Sequence, residues 1–231
     1  MTEYTTRVDH TAKAFDTDLQ EITRKVAEMG GLAERQIADA VQALVDRDTE
    51  LGERVISTDP AIDALQREVE EKAVLTIARR QPMAVDLRFI LAVIKINADL
   101  ERVGDQAVNI AERVRDMQAS HPVDLPVDIP KLASLAATMV RNALQAFIDA
   151  DAAMAEKVLL MDDEVDEMNR AVYRMLTKCI GEKPECSQQA LNVLVISRNL
   201  ERVGDHATNI AEDVIFWVRG ADVRHHVQTN N

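Results

Sequence analysis

Cysteine is nearly absent. The 231 residues hold two, Cys179 and Cys186, too few for a disulfide scaffold in a chain large enough to do without one. Six residues separate them, which is no standard zinc or redox spacing, and they read as structural cysteines flanking a loop. Aromatic residues make up only 3% of the chain, with a single Trp. Sheet proteins draw on aromatic and β-branched side chains, so this scarcity disfavours a β fold. No apolar run approaches the ~20 residues of a membrane-spanning helix. The longest, residues 89–96, already contains Lys95. The segment Met1-Thr2-Glu3-Tyr4 has no basic-then-apolar signal pattern, so the cytoplasm is the expected location. Positive charge is in deficit: 27 Lys and Arg face 40 Asp and Glu, a net charge of -13. Such a chain repels phosphate backbones and anionic lipid, which argues against nucleic-acid binding and direct membrane adsorption. It suits cations and basic protein partners. A glycine-rich phosphate loop, a nucleophile elbow and His-Glu-x-x-His are all missing. So is Glu-x-x-His, which argues against a ferritin-type di-iron centre.

What is present is a helical composition, 47% hydrophobic and 29% charged, and a repeat. Leu100 to Val114 reads LERVGDQAVNIAERV and Leu200 to Val214 reads LERVGDHATNIAEDV, identical at twelve of fifteen positions and 100 residues apart. A weaker echo lies upstream at a spacing of 103: Asp46-Arg47-Asp48 with Asp149-Ala150-Asp151, Asp59 with Asp162, and Ile62-Asp63 with Val165-Asp166. The chain is two copies of one unit. The seam falls at 120–130, SHPVDLPVDIP, where three prolines preclude a helix interior. This predicts a first bundle over 1–119, a proline-rich linker over 120–130, a second bundle over 131–220 and a frayed tail over 221–231. Within the first copy, the spacing predicts helices over 8–47 (softened at Gly30-Gly31) and 49–58. A third begins with Asp59 as cap and Pro60 at its first position and runs to Arg80, and a fourth covers 83–118. Phe89, Ala92, Val93, Ile96, Leu100, Val103 and Ala107 form the apolar stripe of the last. The second copy predicts helices over 131–150, 152–180 and 187–219. Long helices joined by short loops pack as antiparallel neighbours, so the fold class is all-α, two tandem three-helix bundles of spectrin-repeat type.

The chemistry of the repeat lies in its carboxylates. Glu101, Asp105, Asn109 and Glu112 fall within an arc of about 80° on one helix face, and Glu201, Asp205, Asn209 and Glu212 repeat the pattern. Asp59 and Asp63 form another i, i+4 pair, echoed by Asp162 and Asp166. Like charges at that spacing repel and call for an offset, either a bound cation or a nearby arginine such as Arg102 or Arg202. If the two helices of a copy are neighbours, four carboxylates converge with an amide oxygen. An oxygen-only cluster suits Mg, Mn, Ca or Fe, with Zn a less usual occupant. The plainer alternative is a solvated acidic face, with Asp59 and Asp162 as helix caps. Retention of both pairs in both copies, where most other positions differ, favours the cation. Gly104 and Gly204 sit mid-helix beside these residues, either for close packing or to leave room for a ligand.

At these residues the chain resembles the PhoU family of regulators associated with phosphate-specific transport. The resemblance runs from about Phe15 to His225. It rests on Met29-Gly30-Gly31, Arg80-Gln81-Pro82, Asp86-Leu87-Arg88, the two Leu-Glu-Arg-Val-Gly-Asp segments and the ending Arg224-His225. It implies tandem three-helix bundles and a homodimer. It implies metal clusters at Glu101 and Asp105 with Asp59 and Asp63, and at Glu201 and Asp205 with Asp162 and Asp166, with Asn109 and Asn209 as further ligands. The metal would be multinuclear iron, or zinc, manganese or magnesium. The implied function is non-enzymatic: negative regulation of phosphate uptake and of the phosphate-starvation response. The implied partners are the ATPase of the phosphate ABC transporter and the phosphate-sensing histidine kinase, with the membrane reached only through them. Asp86 and Arg88, near the Pro82 break, are solvent-facing candidates for a partner contact. The second copy departs by carrying Gly-Glu-Lys-Pro where the first has Arg-Gln-Pro. A metal-free helical adaptor and a metal-dependent phosphoesterase are the rival readings.

Overall fold

The computed structural model describes residues 13–117 and 125–221. The expected tail and part of the linker lie outside these residues. Among the described residues six helices follow in order: α1 (Lys13–Asp46), α2 (Thr49–Arg80), α3 (Val85–Met117), α4 (Ile129–Asp149), α5 (Ala152–Glu182) and α6 (Ser187–Arg219), with one 3₁₀ turn, Pro184–Cys186, before α6. There is no strand among the described residues.

The upstream echo encodes a turn. Arg47 and Ala150 both adopt positive φ, 54° and 53°, which ends a helix in the left-handed region. The aspartate that follows caps the next one: Asp48 accepts from the Leu51 amide at 2.9 Å, and Asp151 from the Ala153 and Met154 amides at 2.8 and 3.0 Å. Two expectations are corrected. Residues 49–58 and 59–80 are a single helix, with Pro60 inside it. Val55 and Ile62, one stripe apart by seven residues, are both buried in the core, and this packing outweighs the donor that proline removes. Asp59 is therefore not a cap; its side chain is left to face α3. The second bundle also begins earlier than 131, because Asp128 accepts from the Lys131 amide at 3.0 Å and starts α4 at Ile129.

The predicted apolar stripe of α3 is buried throughout. Each copy forms the expected three-helix bundle, and the bundles share one core. α3 packs along α6, and α1 packs against α4, while α2 and α5 lie outside and touch only their own bundle among the described residues. Both seam pairs are antiparallel. Phe89 near the start of α3 meets Trp217 near the end of α6 with ring centroids 5.0 Å apart. Lys95 pairs with Asp213 at 3.0 Å, and Asp99 meets His206 at 2.9 Å. Phe147 of α4 stacks on Phe89 at 5.9 Å and completes a triad with Trp217 at 5.7 Å. Three of the chain's few aromatic rings thus join the two bundles, where large rigid side chains bury much area.

Candidate metal centres

Asp59 and Asp63 stand one turn apart on α2, and Glu101 and Asp105 one turn apart on α3; the two helices are neighbours. The four carboxylates feel one another. Burial, then Asp63 and Asp105, raise the Asp59 pKa. Burial, then Asp105 and Asp63, raise that of Glu101, and burial followed by Asp63 raises that of Asp105. The four carboxylates of the first copy therefore lie within electrostatic range of one another across the two helices. The second copy repeats it on α5 and α6. Asp162 is raised by burial, Asp166 and Asp205, Glu201 by burial and Asp205, and Asp205 by burial and Asp166. No group of three or more His, Cys, Asp or Glu side chains among the described residues is already gathered at ligating distance around one point. Each site is an electrostatic cluster of carboxylates spread over two helices.

The repeated glycines show why the helices come so close. A Cβ on Gly104 would lie 2.9 Å from Ile62 Cδ1, 3.3 Å from Gln36 Oε1 and 3.5 Å from Asp59 Oδ1. On Gly204 it would lie 3.2 Å from Val165 Cγ1 and 3.7 Å from Met139 Sδ. Close packing thus accounts for both glycines. In the first copy two of the three near atoms are oxygens.

The counter-charges differ between copies. In the second, Arg198 pairs with Glu201 and Arg170 with Asp166 at 3.3 Å. In the first, no ion pair among the described residues reaches Asp59, Asp63, Glu101 or Asp105. Arg102, one of the expected offsets, makes its ion pair with Asp99 at 3.7 Å, while its charge still pulls Glu101 and Asp105 downward. Glu201 is 8% exposed as a residue and its second carboxylate oxygen has no hydrogen-bond partner.

Three expected site residues take other positions. Asn209 is drawn to the seam between bundles, where its amide donates to Asp99 Oδ1 at 3.2 Å. Asn109 is exposed beyond Asp105. Arg88 is not solvent-facing: its Nε donates to the Trp217 carbonyl at 3.2 Å, and its guanidinium carbon lies 3.4 Å from where a Cβ on Gly220 would sit. A cation at the carbonyl end of α6 is favourably placed, so Arg88 ties the start of α3 to the end of α6. Asp86 is half-buried in the first turn of α3, the alternative role that its position allows. The residues that sequence reasoning missed are Gln36, Asp99, Arg198 and His206. Comparing the copies flags all four, since Gln36 aligns with Met139, Asp99 with Asn199, Arg198 with Ala98 and His206 with Gln106.

The sequence and structure match known proteins. The PhoU domain matches residues 26–114 and 129–214, one per copy. A phosphate-specific transport system accessory protein PhoU homolog from Rhizobium meliloti is 41% identical over 92% of this chain and 90% of its own. A homolog of the same description from Pseudomonas aeruginosa is 40% identical over 94% of this chain and 90% of its own. The crystal structure of PhoU from Pseudomonas aeruginosa superposes with a TM-score of 0.86 at 38% identity, covering 90% of this chain and all of that one. That of the phosphate transport system regulatory protein PhoU from Streptococcus pneumoniae gives 0.81 at 26% identity, covering 90% and 99%. The helices, the duplicated carboxylate pairs and these likenesses agree, and the chain belongs to the PhoU family.

Proposed function

We propose that this protein is a regulatory accessory of phosphate transport that restrains uptake and the starvation response when phosphate is plentiful. It would do so by docking on the transporter ATPase and on the sensor histidine kinase. Relatives named as accessory and regulatory proteins of phosphate transport support the role. No helix among the described residues is long and apolar enough to cross a membrane, which fits a protein that meets the transporter by contact.

The single observation that carries a metal-dependent form of this role is the pair of four-carboxylate clusters on repeat-related helices. Asp59, Asp63, Glu101 and Asp105 would hold one set of cations, and Asp162, Asp166, Glu201 and Asp205 the other. Their oxygen-only donor set fits a hard or borderline ion such as iron, manganese or magnesium. A bound cation would supply the positive charge that offsets their mutual repulsion. The test is elemental analysis of protein purified without chelator, compared with the Asp59→Asn/Asp63→Asn and Asp162→Asn/Asp166→Asn variants, alongside phosphate uptake in cells carrying each. Loss of metal from the matching site together with deregulated uptake supports the reading. Uptake control that survives the loss of all metal refutes it.

A metal-free adaptor is the second reading. It is favoured by the arginine partners of Asp166 and Glu201, which supply an internal offset in one copy. It also fits the open groove between α5 and α6, where Tyr173, Leu191 and Val195 are exposed among arginines. Tyrosine and arginine are residue types enriched at protein-binding hot spots.

A further inference from the structure

The two clusters differ in what stands beside them. Beside the first lies a polar pair, the buried Gln36 of α1 and the exposed Thr58 of α2. Beside the second the aligned positions are Met139 and Met161. Gln36 is 5% exposed. Its Nε2 donates to Thr58 Oγ1 at 3.2 Å, and the Thr58 hydroxyl donates to the Val55 carbonyl at 2.9 Å. A hydroxyl already donating to a carbonyl can only accept from its other neighbour. The amide of Gln36 must therefore present its nitrogen to Thr58 and its oxygen to the other side. That oxygen is buried with no hydrogen-bond partner. It points into the gap over Gly104, which it shares with Asp59 Oδ1. An unpaired buried carbonyl oxygen in the neighbourhood of a carboxylate is unfavourable unless something positive or protic lies near both. The second cluster shows the reverse. Its glycine faces Val165 and a thioether, with no oxygen among the near atoms. It also carries a guanidinium, Arg198, on Glu201, where the first copy has Ala98.

Resting on the metal reading above, we propose that the two sites are unequal. The first is the tighter site for a hard cation, with the Gln36 carbonyl oxygen as an added neutral ligand. The second is weaker, because Arg198 already serves as its counter-ion and competes with an incoming cation. The sites then fill in order, first copy before second, and over a range of metal concentration the protein carries cation on one bundle only. Oxygen donors of this kind suit manganese and magnesium.

The experiment is a titration of chelator-stripped protein with Mn2+ alone, followed by calorimetry and by the electron paramagnetic resonance of the free ion. Far-UV circular dichroism confirms that each variant is folded. The wild type is expected to show two classes of affinity, the tighter one lost in Asp59→Asn/Asp63→Asn and the weaker one in Asp162→Asn/Asp166→Asn. Gln36→Met should weaken the tight class by about 10-fold or more, the scale on which individual groups of a metal site act. Arg198→Ala should tighten the weak class by about 10-fold, since a competing cation at contact distance is removed. Arg198 has an exposed head, so its variant tests the proposal independently of any packing defect at Gln36. A single affinity class, or either variant leaving its class unmoved, overturns the ranking while the metal reading stands. No retention of Mn2+ or Fe2+ by the wild type overturns both.

Discussion

Two adjacent glycines in α1 should respond to alanine with opposite signs. A Cβ at Gly30 would sit 2.3 and 2.8 Å from the two methyls of Leu144 on α4 and 3.1 Å from its branch carbon. Rotating the methyls does not clear a branch carbon at that distance, so the contact is relieved only by moving the whole side chain or by separating α1 from α4. Forcing extra volume into such a site costs about 1–3 kcal/mol. Alanine returns about 1 kcal/mol of helix propensity. The net for Gly30→Ala is a loss of about 1 kcal/mol. At Gly31 the nearest neighbour is the Arg35 guanidinium, 3.5 Å away, an ordinary contact with a mobile group. Gly31→Ala keeps the full propensity gain of about 1 kcal/mol. The variants should differ by about 2 kcal/mol, which for a domain of this size is about 4–8 °C in melting temperature. Differential scanning calorimetry of the two variants beside the wild type reads this directly. A Gly30→Ala protein that melts with or above Gly31→Ala would refute the close approach of α1 to α4.

Other outcomes follow from the seam and the clusters. Phe89→Ala should cost about 3–5 kcal/mol, as expected for a buried aromatic. Because the triad spans both bundles, denaturant should still unfold them in one transition; two separate transitions would contradict the shared core. Asp99→Ala leaves His206 and Asn209 without their acceptor and should cost about 1–3 kcal/mol, measured by urea denaturation at pH 6. Chelated protein should gain stability as pH falls from 7 toward the ordinary carboxylate range. Asp59, Glu101, Asp105, Asp162, Glu201 and Asp205 all have raised folded pKa values. The folded state therefore binds those protons more tightly, and that contribution disappears as pH rises through the folded values. Further acidification should reverse the trend, because Glu21, Glu156 and Glu167 have lowered values from their Lys72, Arg219 and Arg174 partners. A urea midpoint that only falls from pH 7 downward would contradict the clustering.

The sequence exposed the helices and the paired carboxylates because both are periodic. The stripe on α3 and the i, i+4 acids are local patterns, and the repeat marked which of them matter. Pro60 misled because a local rule met a helix whose flanking residues, Val55 and Ile62, are anchored by packing against other elements. Arg88 misled for the same kind of reason: nothing near it in sequence announces the carbonyl of Trp217, 129 residues away. Gln36 and Asp99 were invisible because their roles depend on what faces them. A buried amide or carboxylate is meaningful only once the opposite helix is known. The difference at position 36 could have been flagged by aligning the copies, but its meaning required the hydroxyl of Thr58.

The antiparallel seam has an evolutionary consequence. α3 meets its own counterpart α6, and α1 meets its own counterpart α4, so the two halves are related as subunits are in an isologous dimer. A single ancestral unit could have buried this face only against a second copy of itself, and in such a dimer every substitution appears twice. Joining the copies in one polypeptide removed that constraint. Glutamine could then stand at 36 and methionine at 139, and arginine at 198 and alanine at 98. Fusion thus permits the two halves of one symmetric scaffold to differ at matching positions.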